Sequence, residues 1–265
     1  MTILKENQVA NPQRTWIDAS EKTERLRAAE ISLRENPKDP ERWMELGLAL
    51  AKMRLMRESV EAFSRGLILD PFHGLLYRHR GHRHLSCWQY EEAASDFTLA
   101  SRLIPDNWDV WYHLGLSFYL LRDYVRAEAA YKNCYALSEK DDRRIPISDW
   151  YWRTLMRLGK KQEAEDVLSR ITPEMDRGKD GLGYHRNLLM YKGLIQPDDL
   201  MQCNLEEGSL DKITMAYARA NFYYVLGDVK TSDRLLEEVI AEGDSFWWSA
   251  FGYLAAKADK AGRGV

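Results

Sequence analysis

Large apolar positions recur along this chain every 34 residues. Trp43, Tyr77 and Trp111 keep the interval, and so do Phe63, Phe97 and Tyr131. Between them, Gly47, Gly81 and Gly115 share it, as do the small residues Ser59, Ala93 and Ala127 and the prolines Pro37, Pro71 and Pro105. Five independent marks on one period define an internal repeat. Each mark has a physical reading as part of a helical pair. The first aromatic fills the space between two antiparallel helices, and glycine lets the first helix approach its neighbour. The small residue does the same for the second helix, and the later aromatic closes the pair. Proline stops the second helix because it cannot extend the hydrogen-bond ladder.

The pattern continues with a change of phase. Gly159, Gly193 and Gly227 again lie 34 apart, each ending an apolar stretch, which places them at the turn between two helices. Repeats start near 40, 74 and 108, then near 145, 179 and 213. Three extra residues enter at "SEKDDRRIP" (138–146), a loop insertion after which Pro146 suits the first turn of a helix. In the fifth repeat the second helix is short, from about Pro197 to Cys203. Residues 20–36 read as a leading helix with Asp18 or Ser20 as N-cap, and "SFWWSAFGYLAAKADKAG" as a capping helix. About fourteen helices and no sheet are expected. "SFWW" (245–248) is apolar for a terminal cap, so it is expected to pack inward.

The stretches "WMELGLAL…SVEAFSRGLILDP" and "WYHLGLSFYL…RAEAAYKNCYAL" resemble the tetratricopeptide repeat (TPR), specifically over residues 40–141. The resemblance implies an all-α fold. It would be an alpha-alpha superhelix, a TPR solenoid of about six helix-turn-helix repeats with a leading and a capping helix and a concave groove. The expected organisation is a flexible segment 1–19, one solenoid over 20–260 (repeats near 40–73, 74–107, 108–141, 145–178, 179–212 and 213–246), and a tail 261–265. The insertion at 138–146 is a candidate soft joint.

Composition narrows the class. The 265 residues are 45% hydrophobic, enough for a large core. A net charge of −3 argues against a general nucleic-acid binder. Cys87, Cys134 and Cys203 are an odd set without metal-ligand spacing, which reads as reduced thiols in a cytoplasmic protein. The N-terminus shows no secretory signal, and no apolar run of about eighteen residues predicts a membrane span.

"LYRHRGHRHLSCW" (76–88) concentrates basic chemistry in the first helix of the second repeat. His79 with His82, or His82 with His113, can be read as the start of a metal site, with Asp149 as a further ligand, but zinc needs three or four converging ligands. His84 is expected in the core and Arg83 in solvent. Arg80 stands where the neighbouring repeats have Leu46 and Leu114. No nucleophile motif, phosphate loop or dinucleotide fingerprint accompanies the histidines, and no cofactor, metal or catalytic residue is assigned.

The resemblance implies a groove face. It carries Met44, Leu48, Arg78, His82, Tyr112, Leu116, Tyr119, Asp149, Arg153, Met156, Asn187, Tyr191, Tyr217, Asn221 and Tyr224, with His113 beside it. Arg153, Asn187 and Asn221 occupy equivalent places 34 apart. An amide can pair with a peptide backbone, arginine can grip a carboxylate or phosphate, and tyrosine offers apolar area with a polar tip. The Lys, Asn, Asn, Lys, Arg set of repeats that clamp chaperone tails is absent, since Met44 and Leu48 hold its first places. The leading expectation is a module that binds a protein or peptide partner in the groove, with no nucleic acid and no membrane involved. The alternatives are a small-molecule binder or enzyme with His82, His113 and Asp149 as acid–base groups and Arg78 or Arg153 on an anion, and a scaffold associating through its ends.

Overall fold

A computed structural model describes residues 21–205 and 209–263, with backbone alone at 245 and 246. Every regular element among them is helical: α1 Glu24–Glu35, α2 Pro40–Lys52, α3 Met56–Leu69, α4 Gly74–Ser86, α5 Tyr90–Leu103, α6 Trp108–Leu120, α7 Tyr124–Ala136, α8 Asp141–Arg157, α9 Lys161–Ser169, α10 Leu182–Tyr191, α11 Leu210–Val225, α12 Val229–Glu242 and α13 Phe251–Arg263. The chain divides into two compact blocks, one ending at His113 and the other beginning at Leu114, within α6. The segment 138–146, expected as a joint, lies inside the second block. Residues 1–19 fall outside the described residues.

The repeat is written into the backbone. After the first helix of each repeat one residue turns left-handed: Arg54 (φ 60), Trp88 (φ 62) and Arg122 (φ 60), then Gly159 (φ 73), Gly193 (φ 76) and Gly227 (φ 91). These six positions keep the 34-residue interval apart from the three-residue shift. After each, the next amide donates to the carbonyl five residues back. Leu55 donates to Leu50, Gln89 to His84, Asp123 to Phe118, Lys160 to Leu155, Leu194 to Leu189 and Asp228 to Tyr223, all at 2.9–3.0 Å. This bond satisfies a carbonyl that the helix end would orphan.

Packing follows the marks. A Cβ on Gly47 would overlap the ring of Phe63, and one on Gly115 the ring of Tyr131. Those rings are fully buried, as is Phe97 beside Gly81. Ser59 Oγ donates to the Gly47 carbonyl at 2.7 Å, and Ser232 Oγ donates likewise to Ala220 in the last repeat. The first aromatics are only half-buried. The indoles of Trp43 and Trp111 donate to the carbonyls of Pro37 and Pro105, tying each helix start to the turn before it.

Arg80, the departure in the second repeat, has a matching departure opposite. Asp96 stands where Ala62 and Ala130 stand in the adjacent repeats. Arg80 grips it in bidentate fashion at 2.8 and 2.7 Å, so a Leu/Ala contact has become an ion pair.

Four expectations are corrected. The leading helix starts at Glu24 and is capped by Thr23, which accepts from Leu26 N, while Asp18 and Ser20 lie outside the described residues. Pro146 sits inside α8, because the helix begins at Asp141, where two aspartates complement its N-terminus. The second helix of the fifth repeat is replaced by turns at 197–201. There Arg186 takes the carbonyls of Asp199 and Leu200, doing for them what helical amides would do. The capping segment opens with a π turn, Gly243–Trp247, where Tyr253 packs on Gly243 and donates to Asp244 at 2.5 Å. Helix α13 then runs to Arg263, taking in residues 261–263 of the expected tail, while 264 and 265 lie outside the described residues, and Trp248 is buried.

Two substitution sets test this reading. Gly159→Ala and Gly227→Ala meet no neighbouring atom, so each should cost about 1 kcal/mol through the left-handed backbone alone. In urea denaturation, a neutral result for both would deny the turn. Asp96→Ala alone should cost about 2 kcal/mol by stranding Arg80. Adding Arg80→Leu should restore stability to the starting value or above, and a double variant no better than the single would refute the swap.

Candidate functional site

In the N-terminal block, the residues of 76–88 sort differently from their expected roles. Arg78 pairs with Asp109 through Nε, and its Nη1 donates to His79 Nδ1 at 2.9 Å. His82 and His113 pack ring on ring with centroids 4.6 Å apart, and His113 Nδ1 bonds the Asp109 carbonyl at 2.8 Å. Tyr112 is buried against Trp108. Burial, then Arg78 and Arg83, pull His79 down to about 4. Burial, then Arg83 and His113, hold His82 well below its ordinary range. Both rings are therefore neutral near pH 7. His113 and then Arg78 hold the Asp109 carboxyl far below the usual range, against the opposing effect of burial. His84, expected in the core, is half-buried and bonds Gln89 at 2.9 Å. Arg83, expected in solvent, is half-buried with Met56 Sδ 3.6 Å away. No group of three His, Cys, Asp or Glu side chains suited to a metal occurs among the described residues.

In the C-terminal block, most of the expected groove residues are sealed. Tyr119, Asp149, Arg153, Asn187, Tyr217 and Asn221 are all buried, with exposures of 0–2%. Two connected charge sets explain how polar groups persist there. In the first, Arg153 pairs with Asp149, its Nε also donating to Tyr191 OH at 3.1 Å, and Asn187 Nδ2 donates to Asp149 at 3.3 Å. Burial lifts the Asp149 carboxyl above its ordinary range, against the pull of Arg153, Tyr191 and Asn187. Trp152 stacks on Tyr191 with centroids 3.7 Å apart, which fixes the phenol.

The second set centres on Asp259 of α13. Arg157 Nη2 donates to its Oδ2 at 2.5 Å, Tyr217 OH at 3.0 Å and Arg263 Nη2 at 3.4 Å. Arg157 Nε donates to Asn221 Oδ1 at 2.9 Å, and Tyr119 and Tyr217 share a hydroxyl bond at 2.8 Å. Burial pushes both phenols up, so they stay neutral. Tyr224 lies under the guanidinium groups of Arg263 and Arg157. Exposure of these residues on an open face is thus corrected: helix α13 covers this part of the face and supplies the carboxylate. Arg157 was legible as one turn after Arg153 on the same helix face. Nothing in the sequence paired it with Asp259, 102 residues away.

One opening remains beside this network. A cavity of about 370 Å³ is lined by Arg122, Tyr124, Met156, Arg157, Tyr224 and two valines. Arg122 Nε, Tyr124 OH and Arg157 Nη1 are buried and lack a hydrogen-bond partner among the described residues. So do Asn221 Nδ2 and Asn187 Oδ1.

A tetratricopeptide-repeat family model matches residues 89–141. Over 90 residues, 34% of this chain, the sequence is 29% identical to anaphase-promoting complex subunit 3 of Schizosaccharomyces pombe, of whose length it covers 14%. Among solved structures, YrrB, described as a TPR protein with an unusual peptide-binding site, aligns with TM-score 0.53 at 16% identity over 89% of this chain and 99% of its own. The APC/C hetero-tetramer Cut9–Hcn1 aligns with TM-score 0.57 at 16% identity over 90% and 46%. A tetratricopeptide repeat protein from Parabacteroides merdae gives 0.57 at 14% over 88% and 91%. At these identities the structural likeness concerns the fold. The chain thus carries tetratricopeptide-repeat sequence over residues 89–141 and has the all-α fold of the TPR solenoids. No described helix is long and apolar enough to cross a membrane.

Asp259→Ala should strand Arg157, while Arg263 keeps Asp233, and cost roughly 3–5 kcal/mol, with Tyr119→Phe costing about 1 kcal/mol. Thermal unfolding measures both, and a loss below about 1 kcal/mol for Asp259→Ala would show that the network is not closed as described.

Proposed function

We propose that this chain is a protein–protein interaction module that takes an extended partner segment at the Arg122–Tyr124–Arg157 cavity of its C-terminal block. The observation that carries this reading is three buried polar atoms, Arg122 Nε, Tyr124 OH and Arg157 Nη1, each without a hydrogen-bond partner among the described residues and each on a residue that lines one cavity. Buried donors are rarely left unpaired, because each forfeits its bonds to water. A peptide supplies what is missing, namely backbone carbonyls and a carboxylate. Tyr224 and Met156, both on the expected groove face, form part of the wall. The TPR fold suits such a role, and YrrB, a TPR protein described as having an unusual peptide-binding site, shares it. A cytoplasmic setting fits three cysteines of which none forms a disulfide among the described residues; Cys87 is pushed up to about 12 by burial and is a poor nucleophile.

Panning a random peptide display library on the full chain tests the proposal. Recovered peptides should lose at least tenfold in affinity for Arg122→Met and for Tyr124→Phe, with unchanged circular dichroism. Enrichment no greater than on an unrelated protein, or affinity unaffected by both substitutions, would refute it.

A further inference from the structure

We infer that the N-terminal block carries a second, separate site, a pocket for a phosphoryl dianion formed by Lys52, Arg78, His79 and Arg83. These four side chains line a cavity of about 280 Å³ whose apolar wall includes Leu48 and Phe63. The charge balance there is uneven. Arg78 is matched by Asp109, whereas Lys52 and Arg83 form no ion pair among the described residues. The pocket therefore holds a surplus of two positive charges, which matches a phosphate monoester near pH 7.

Arg83 is the informative group. Its guanidinium is half-buried, and Met56 Sδ at 3.6 Å is a weak acceptor. Burial and the like charge of Arg78 draw it down to about 10. A guanidinium taken out of water without a counter-ion is unfavourable, and a bound oxyanion removes that penalty while using the planar fork of donors. His79 is oriented for the same purpose. Arg78 can only donate, so His79 Nδ1 is the acceptor and the ring proton sits on Nε2. The ring is stacked on Phe63, with centroids 5.7 Å apart. Its neutrality reflects burial and two nearby cations, Arg78 and Arg83. A dianion beside it reverses the local field, so binding should draw a proton onto the ring.

The site is tested on the full chain with inorganic phosphate, O-phosphoserine and acetate, by calorimetry and by NMR of the histidine rings. Phosphate or phosphoserine should bind saturably, one to one, at least tenfold tighter than acetate, and the His79 pKa should rise. Tighter binding of phosphoserine assigns an esterified source, and equal binding assigns the free anion. Arg83→Met should weaken binding at least tenfold. Arg83→Lys, which keeps the charge and protects against a folding artefact, should retain part of it. Arg126→Met, on an exposed side chain elsewhere, should change nothing. Absence of saturable binding, acetate binding as tightly as phosphate, or equal affinity in wild type and Arg83→Met would overturn the inference.

Discussion

Each helical pair in this protein depends on one residue in a left-handed conformation and one hydrogen bond that closes the helix before it. The bond spans five residues and recurs six times, and the left-handed residue reverses the chain within a single turn. That sharp reversal sets the two helices side by side. It brings the aromatic of the second helix onto the glycine of the first. The later repeats use glycine at the reversal, where the conformation is unstrained. The earlier ones place Arg54, Trp88 and Arg122 there and bear the steric penalty in a backbone held by packing on both sides.

The polar interior of the C-terminal block follows a different logic. Three arginines, Arg153, Arg157 and Arg263, meet the buried Asp149 and Asp259, and Arg263 also pairs with the more exposed Asp233, so the charges balance. Tyrosine and asparagine complete most of the remaining bonds. Burying such pairs is not favourable in itself. Breaking one leaves a charge stranded, which makes the arrangement selective for a single packing. Because α13 contributes Asp259, the closing helix is part of the core and not an ornament on it. Donors are left over at Arg122, Tyr124 and Arg157, on residues that line the cavity beside this network. Repeat 2 shows the same rule on a smaller scale, with Arg80 and Asp96 replacing an apolar contact together.

The period, the phase shift at 138–146 and the turn glycines were legible because each is a local demand. A reversal needs a particular residue at a particular interval, and the sequence displays the interval. The same reading misplaced the helix at 197–203, because the carbonyls there are satisfied from outside the segment, by Arg186. It also placed Asn187, Asn221 and Arg153 on an open face. Their positions on the helices follow from spacing, but their burial depends on partners distant in the chain, and no periodicity links Asp259 to Arg157. Arg83 was read as solvated for the same reason: exposure is a property of neighbours distant in the chain.

Amide hydrogen exchange along α13 tests the central claim most directly. If Asp259 is locked under Arg157, Tyr217 and Arg263, amides of Phe251–Arg263 should exchange as slowly as those of α11, through opening of the whole block. Exchange of α13 at rates near those of an unfolded chain, with α11 still protected, would contradict the account, because the helix would then lie loose and the buried charge network would be open to water.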